Sequence, residues 1–376
     1  MNAAVDFAPA LRLALMALAA ASLPMAWLWL RQRGASAQRR LAALTALTLF
    51  LTFDLVVFGA FTRLTDSGLG CPDWPGCYGH ASPLGADQAI TAAESAVPGG
   101  PVTWSKAWIE MIHRYLAMTV GALIVAIAAF SWFERRRLPF APWLPGLTLV
   151  WVIVQGLFGK YTVTLKLYPA VVSLHLLGGL TLLALLAVQH AAFSRRTLAL
   201  GAGLRATAVL ALVALVMQVG LGAWVSSNYA VLACKGFPLC NGSWWPDADF
   251  SRGFTLLRGL GGLDALGRPF TLASLVAIHL AHRTFAIVAS TVLIVLAWRL
   301  LHQALPEARS FGLVLVTLLL AQWASGLSNV ILGWPLFAAL AHSAGAAALV
   351  VLLALLLTRS GLPQRAGKPL AAAAVA

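Results

Sequence analysis

Nine stretches of mostly apolar residues run through the chain, near 10–30, 41–61, 107–132, 143–165, 169–193, 206–226, 271–298, 311–333 and 335–357. Each is long enough to cross the ~30 Å hydrocarbon core of a bilayer as a helix. That feature leaves one class of solution. In lipid every backbone N–H and C=O must be bonded within its own element, so apolar runs of this length become α-helices. The expected fold is an all-α polytopic membrane protein with the lipid bilayer as its principal partner. Composition agrees, since only 10% of the 376 residues are charged, against about 25% in soluble proteins. A soluble enzyme and a disordered chain are both excluded.

The net charge of +14 would suit nucleic acid if the cations shared an open surface. Instead they gather in short connections on one side of the spans: 31–40 (RQRGASAQRR), 133–139 with Arg135, Arg136 and Arg137, 194–205 with Arg195 and Arg196, 299–310, and the tail 358–376 with Arg365 and Lys368. This is the positive-inside pattern, so these connections face the cytoplasm and no nucleic-acid partner is expected. The opposite connections, 62–106, 166–168, 227–270 and a tight turn at Trp334, lie outside. The first span carries its positive charge after it. It reads as an uncleaved helix with its N-terminus outside, since a signal peptide has its charge at the start. The Ala-rich end (AAAAVA) is expected to fray.

The chain repeats itself. Gly59-Ala60-Phe61 precedes Cys71 as Gly222-Ala223-Trp224 precedes Cys234, and each Cys opens a C-x₅-C pair, CPDWPGC (71–77) and CKGFPLC (234–240). Gln155, Gly159, His175 and Gly178 recur 167 residues later as Gln322, Gly326, His342 and Gly345, and His113-Arg114 recurs as His282-Arg283. The expected organisation is two four-helix transmembrane bundles, 41–193 and 206–357, in parallel repeat. An extra transmembrane helix and basic loop (1–40) precede them, and a cytoplasmic tail (358–376) follows. An even number of helices per unit keeps both copies in one orientation.

Five of the eight histidines fall inside spans, where ionisable side chains are uncommon and face the bundle interior. An interhelical hydrogen bond would explain any one of them. It does not explain His113, His175, His282 and His342 together, which put two imidazoles per unit on two helices, most of them roughly 10 Å below the outer surface. Two imidazoles from facing helices suit the axial positions of haem iron, whereas zinc normally takes a third protein ligand. Both pairs lie at the outer level, which disfavours electron transfer across the membrane and favours chemistry beside haem. His80, His190 and His302 fall in loops or at a span end.

The units differ at one telling position. Glu110 lies three residues before His113 and shares its helix face, while His279 takes that place before His282. A carboxylate beside haem can move protons or stabilise a cationic intermediate, which makes the first unit the catalytic one. The competing reading is a carboxylate favoured by the helix dipole in the first turn. His279 is an alternative ligand, but the repeat aligns His282 with His113. Arg114 and Arg283 are supporting residues that pair either with haem propionates or with carbonyls and water. Cys71, Cys77, Cys234 and Cys240 lie in outer loops, an oxidising setting; two intraloop disulfides are expected, with cross-loop pairing the alternative. Asp54 stands in mid-span without a repeat counterpart, and Lys160 and Lys166 sit at an outer helix end, where snorkelling accounts for them.

The run GAFTRLTDSGLGCPDWPGCYG (59–79), with Glu110-Met-Ile-His113-Arg114, His175, His282-Arg283 and His342, resembles the haem A synthase family over about 41–357. The resemblance implies two four-helix bundles in a bacterial inner membrane, with the Cys loops on the periplasmic face. It implies that Glu110, His113 and His175 form the site of the haem O substrate and that His282 and His342 ligate the iron of a haem b cofactor. The implied reaction is stepwise oxidation of one porphyrin methyl to a formyl group, through hydroxylation and loss of water, giving haem A for terminal oxidases. The implied partners are an enzyme that supplies haem O and an electron-transfer protein. The extra first helix and Asp54 fall outside the family pattern. The competing functions are a di-haem b oxidoreductase serving a quinone or an outer partner, and a non-catalytic haem carrier.

Overall fold

The computed structural model describes residues 8–138, 142–261, 263 and 269–361. Arg365, Lys368, the Ala-rich end and part of the second outer loop lie outside the described residues. Eleven α-helices are present among those described: α1 (Ala8–Arg31), α2 (Ala37–Leu64), α3 (Asp87–Ala96), α4 (Trp104–Phe133), α5 (Trp143–Thr164), α6 (Pro169–Ser194), α7 (Ala202–Ser227), the single turn α8 (Phe250–Gly253), α9 (Leu272–Leu301), α10 (Pro306–Ile331) and α11 (Leu336–Gly361). Nine of these are long and apolar enough to span a membrane, matching the nine expected stretches. The protein is an all-helical integral membrane protein, without a strand in the described residues.

Local chemistry sets the helix ends. Ser36, Thr103 and Thr271 cap α2, α4 and α9 by accepting the backbone N–H three residues on, which satisfies a donor with no helical partner. Proline opens α6 and α10, where its missing N–H costs nothing. The last two spans are joined by the expected tight turn, with Gly333 at φ 69° and Trp334 at φ 68°.

Packing follows two closed rings. Helices α2, α4, α5 and α6 contact one another in a cycle, and α7, α9, α10 and α11 form another. The rings meet where α6 packs on α7 and α11, and α2 on α11. Helix α1 lies outside the first ring, against α4 and α2. Its Leu13 joins Cys71, Cys77 and Met111 in one apolar cluster, while Ala21 joins Leu41, Leu123 and Phe193 in another. The N-terminal end of α1 therefore lies on the face that carries the Cys loops. Asp54 of α2 is exposed on the outside of the bundle.

The rings differ in their lower interior. In the first, buried Gln189 donates to Thr45 (3.3 Å) and accepts from Thr148 (3.2 Å), tying three helices together. The corresponding positions of the second ring are Leu356, Ala208 and Leu315, and these pack as an apolar core. Interhelical bonds of this kind contribute roughly 0.6 kcal/mol each in a bilayer.

Candidate functional site

Each ring sets two histidines near the Cys-loop face. His113 comes nine residues after the start of α4 and His282 ten after the start of α9, while His175 and His342 each come six after the starts of α6 and α11. His113 and His175 stand on α4 and α6, opposite members of the first ring, as His282 and His342 stand on α9 and α11 in the second.

Glycine makes room for every one of these rings. A Cβ at Gly59 would lie 3.0 Å from His113 Nε2, and one at Gly222 would lie 3.0 Å from His282 Cε1. A Cβ at Gly159 would lie 3.5 Å from His175 Cε1, and one at Gly326 would lie 3.1 Å from His342 Cε1. The sequence showed these glycines as repeat markers; the structure shows that they face the imidazoles. All four histidines are partly buried. Among the described residues, no group of three or more His, Cys, Asp or Glu is placed to hold a bare metal ion. Paired, partly buried imidazoles with glycine beside them fit a flat group that takes two axial nitrogens.

The two pairs are held differently. The Gln218 amide nitrogen lies 3.1 Å from Nδ1 and 3.4 Å from Nε2 of His282 and donates to its carbonyl at 3.2 Å. Ser325 Oγ lies 3.2 Å from Nδ1 of His342, and Gln322 donates to the His342 carbonyl at 2.9 Å. Ser325 Oγ can accept the Nδ1–H of His342, which fixes that ring and leaves its Nε2 lone pair for a metal; the Gln218 amide holds the His282 ring from the side of both its nitrogens. In the first ring the positions of Gln218 and Ser325 are Leu55 and Phe158. His175 Nδ1 is buried without a partner, and His113 is flanked by the nearly parallel ring of Phe58 at 6.5 Å. Sequence reasoning missed Gln218 and Ser325, because neither belongs to the repeat.

The cysteines pair within their loops, Cys71 with Cys77 and Cys234 with Cys240, so cross-loop pairing is ruled out. Both loops share one backbone design. A bridge joins Cys77 to His80 and Cys240 to Ser243, and a positive-φ pair follows each second Cys, Tyr78-Gly79 and Asn241-Gly242. In the first loop Asp73 accepts from the Tyr78 and Gly79 backbone at 2.6 and 2.7 Å. Burial raises the Tyr78 phenol above its ordinary range, and the Asp73 charge adds to that.

Each loop is bolted to the helix that bears a histidine. Arg114 donates to the carbonyls of Asp73 (2.9 Å), Pro75 (3.4 Å) and Gly76. Arg283 donates to those of Gly236 (2.9 Å), Leu239 (3.4 Å) and Cys234 (2.6 Å). Of the two expected uses of these arginines, loop carbonyls are the one seen. Glu110 joins the bolt: its carboxylate accepts from the Cys71 N–H at 2.8 Å and from Arg114. Helix α4 starts at Trp104 under a Thr103 cap, so Glu110 lies in the second turn and the first-turn reading fails. His279, its counterpart, is only 4% exposed and accepts from Arg283 at 3.3 Å. That packing sets it apart from the partly buried His282. Among the three remaining histidines, His80 and His302 are exposed, and His190 lies 3.0 Å from the Ala42 carbonyl.

Together these features define a class: a polytopic membrane protein with two helical rings, each presenting paired imidazoles under a disulfide-closed loop. The particular family follows from comparison with known proteins. The chain belongs to the family of cytochrome oxidase assembly proteins (COX15-CtaA), whose pattern it matches over residues 42–354. It is 40% identical to the haem A synthase of Shewanella oneidensis over 325 residues, covering 84% of this chain and 94% of that protein. It is 30% identical to the haem A synthase of Caulobacter vibrioides, covering 80% and 90% of the two chains, and 29% identical to that of Shouchella clausii, covering 69% and 74%. Helix α1 precedes the matched segment.

Proposed function

We propose that this chain is a haem A synthase, a membrane enzyme that oxidises one methyl group of haem O to the formyl group of haem A. Family membership and the relatives support the activity. The observation that supports a division of labour is the unequal hold on the two histidine pairs. His342 has an acceptor at Nδ1 and the His282 ring is held by the Gln218 amide, which suits ligands of a resident haem b. Among the described residues His113 and His175 have no such side-chain partner, which suits a group that must arrive and leave. On this reading residues 41–193 are the catalytic bundle, 206–357 the cofactor bundle, 1–40 an accessory helix and loop, and 358–376 a tail.

Haem b in the second ring supplies redox capacity. The residues of the first ring orient the substrate and handle protons. His113 and His175 hold the porphyrin by its iron. Turning a methyl into a formyl group takes an oxygen atom from water and gives up protons and electrons; the electrons leave to the acceptor, and Glu110, one turn from His113, would take up protons. It does so by exchanging its bond to Cys71 or Arg114. The loops lie on the periplasmic face of the inner membrane and the basic connections on the cytoplasmic face, in keeping with the positive-inside pattern. An enzyme delivering haem O and an electron acceptor complete the system.

Haem extraction from the purified protein tests this. Haem b together with haem O, a hydroxylated haem O or haem A is the expected content. Haem b alone, with no haem A made in cells that produce haem O, overturns the reading.

A further inference from the structure

Lys160 is not used by the chemistry above, and its surroundings in the first ring are specific. It follows Gly159, the residue that makes room for the His175 ring, and lies near the outer end of α5. Its ammonium sits 5.9 Å from the centre of the Trp74 ring. Among the described residues it has no hydrogen bond and no carboxylate partner. The backbone around Trp74 is held, because the carbonyls on either side of it, Asp73 and Pro75, accept from Arg114, while its side chain stays exposed. Arg114 directly follows His113. The frame therefore runs from one histidine, through Arg114 and the disulfide loop, to Trp74, Lys160 and the other histidine. Glu110 and the loop carbonyls take up the Arg114 charge, so Arg114 is committed while Lys160 is not.

The second ring repeats the frame without the cation. Arg283 holds its loop, Phe237 stands in the place of Trp74, and Leu327 stands in the place of Lys160. Helix packing alone does not explain a lysine at this place in one ring and a leucine in the other. A porphyrin carries an apolar disc and anionic carboxylates, and a carboxylate held near a bilayer needs a cation. A lysine resting on an aromatic face makes only a weak contact, which a carboxylate displaces readily. Its compact charge on a flexible stem gives a looser grip than an arginine fork. That suits a ligand that must depart.

We propose that Lys160 receives a carboxylate of the porphyrin bound between His113 and His175, and is thus a substrate-positioning residue. The inference rests on the assignment of that pair to the substrate. The test uses detergent-purified protein with its haem b in place, titrated with haem O and with haem O dimethyl ester, whose carboxylates are masked. The expected wild-type result is roughly fivefold weaker binding of the ester, the size of a modest ion pair. Lys160→Met should bind haem O as weakly as wild type binds the ester and should discriminate no further, with haem b content unchanged, while Lys160→Arg should restore the preference. A Lys160→Met protein with wild-type affinity and intact discrimination overturns the proposal, as does equal wild-type binding of acid and ester, which would leave Lys160 to a lipid headgroup phosphate. Failure of wild type to bind either compound refutes the substrate assignment itself.

Discussion

Replacing Gly222 by alanine is the sharpest probe of the second histidine pair. The added methyl carbon would lie 3.0 Å from Cε1 of His282 and 3.5 Å from its Nδ1. Comfortable carbon contacts begin at about 3.5 Å, so the ring must retreat by about 0.5 Å. The Gln218 amide, 3.1 Å from Nδ1, resists that retreat. Overpacking of this size costs about 1–3 kcal/mol, and if the strain is relieved by losing the ligand bond it becomes roughly 5- to 150-fold weaker retention of haem b. Gly326→Ala, with its contact at 3.1 Å from His342, should behave alike. Gly159→Ala, at 3.5 Å from His175, makes an ordinary contact and should be tolerated. The assay is haem b per protein after purification, with the rate of haem transfer to a scavenger protein. Full haem b content and an unchanged spectrum in Gly222→Ala would refute the packing argument, as would loss of haem O binding in Gly159→Ala.

Three further outcomes are expected. His282→Ala and His342→Ala should each remove haem b from a protein that still inserts, read from the absorption spectrum of purified membranes; an unchanged spectrum in both would refute their ligand role. Glu110→Gln keeps an acceptor for the Cys71 N–H and should fold, bind haem O and slow its oxidation roughly 10²–10⁴-fold, read as the haem O to haem A ratio in cells; His279→Ala should change that ratio far less, and the reverse order would put the active site in the wrong ring. Glu110→Ala strips a buried arginine of its partner, a loss of about 3–5 kcal/mol, so it should also loosen the first Cys loop, seen as faster proteolysis between Cys71 and Cys77 than in Glu110→Gln.

Hydropathy fixed the nine spans, and charge bias along the chain set their expected orientation, because both depend on residue type summed over a helix length. The repeat was equally legible. His113, His175, His282 and His342 emerged from spacing, since an ionisable residue inside a span stands out against an apolar background. What the residue string could not supply was the identity of neighbours. Gln218 and Ser325 are ordinary polar residues until α7 is set against α9 and α10 against α11. Glu110 and Arg114 read as a carboxylate and a cation near haem, yet they close on a loop some 40 residues earlier in the chain. Arg114 and Arg283 had two expected uses, and only the fold of the CPDWPGC and CKGFPLC turns brought the carbonyl partners of one of them together at a single guanidinium. Lys160 read as a snorkelling lysine until Trp74 was placed beneath it. Side-chain partners are set by the three-dimensional approach of separate helices and loops, and that approach leaves no period or spacing in the sequence.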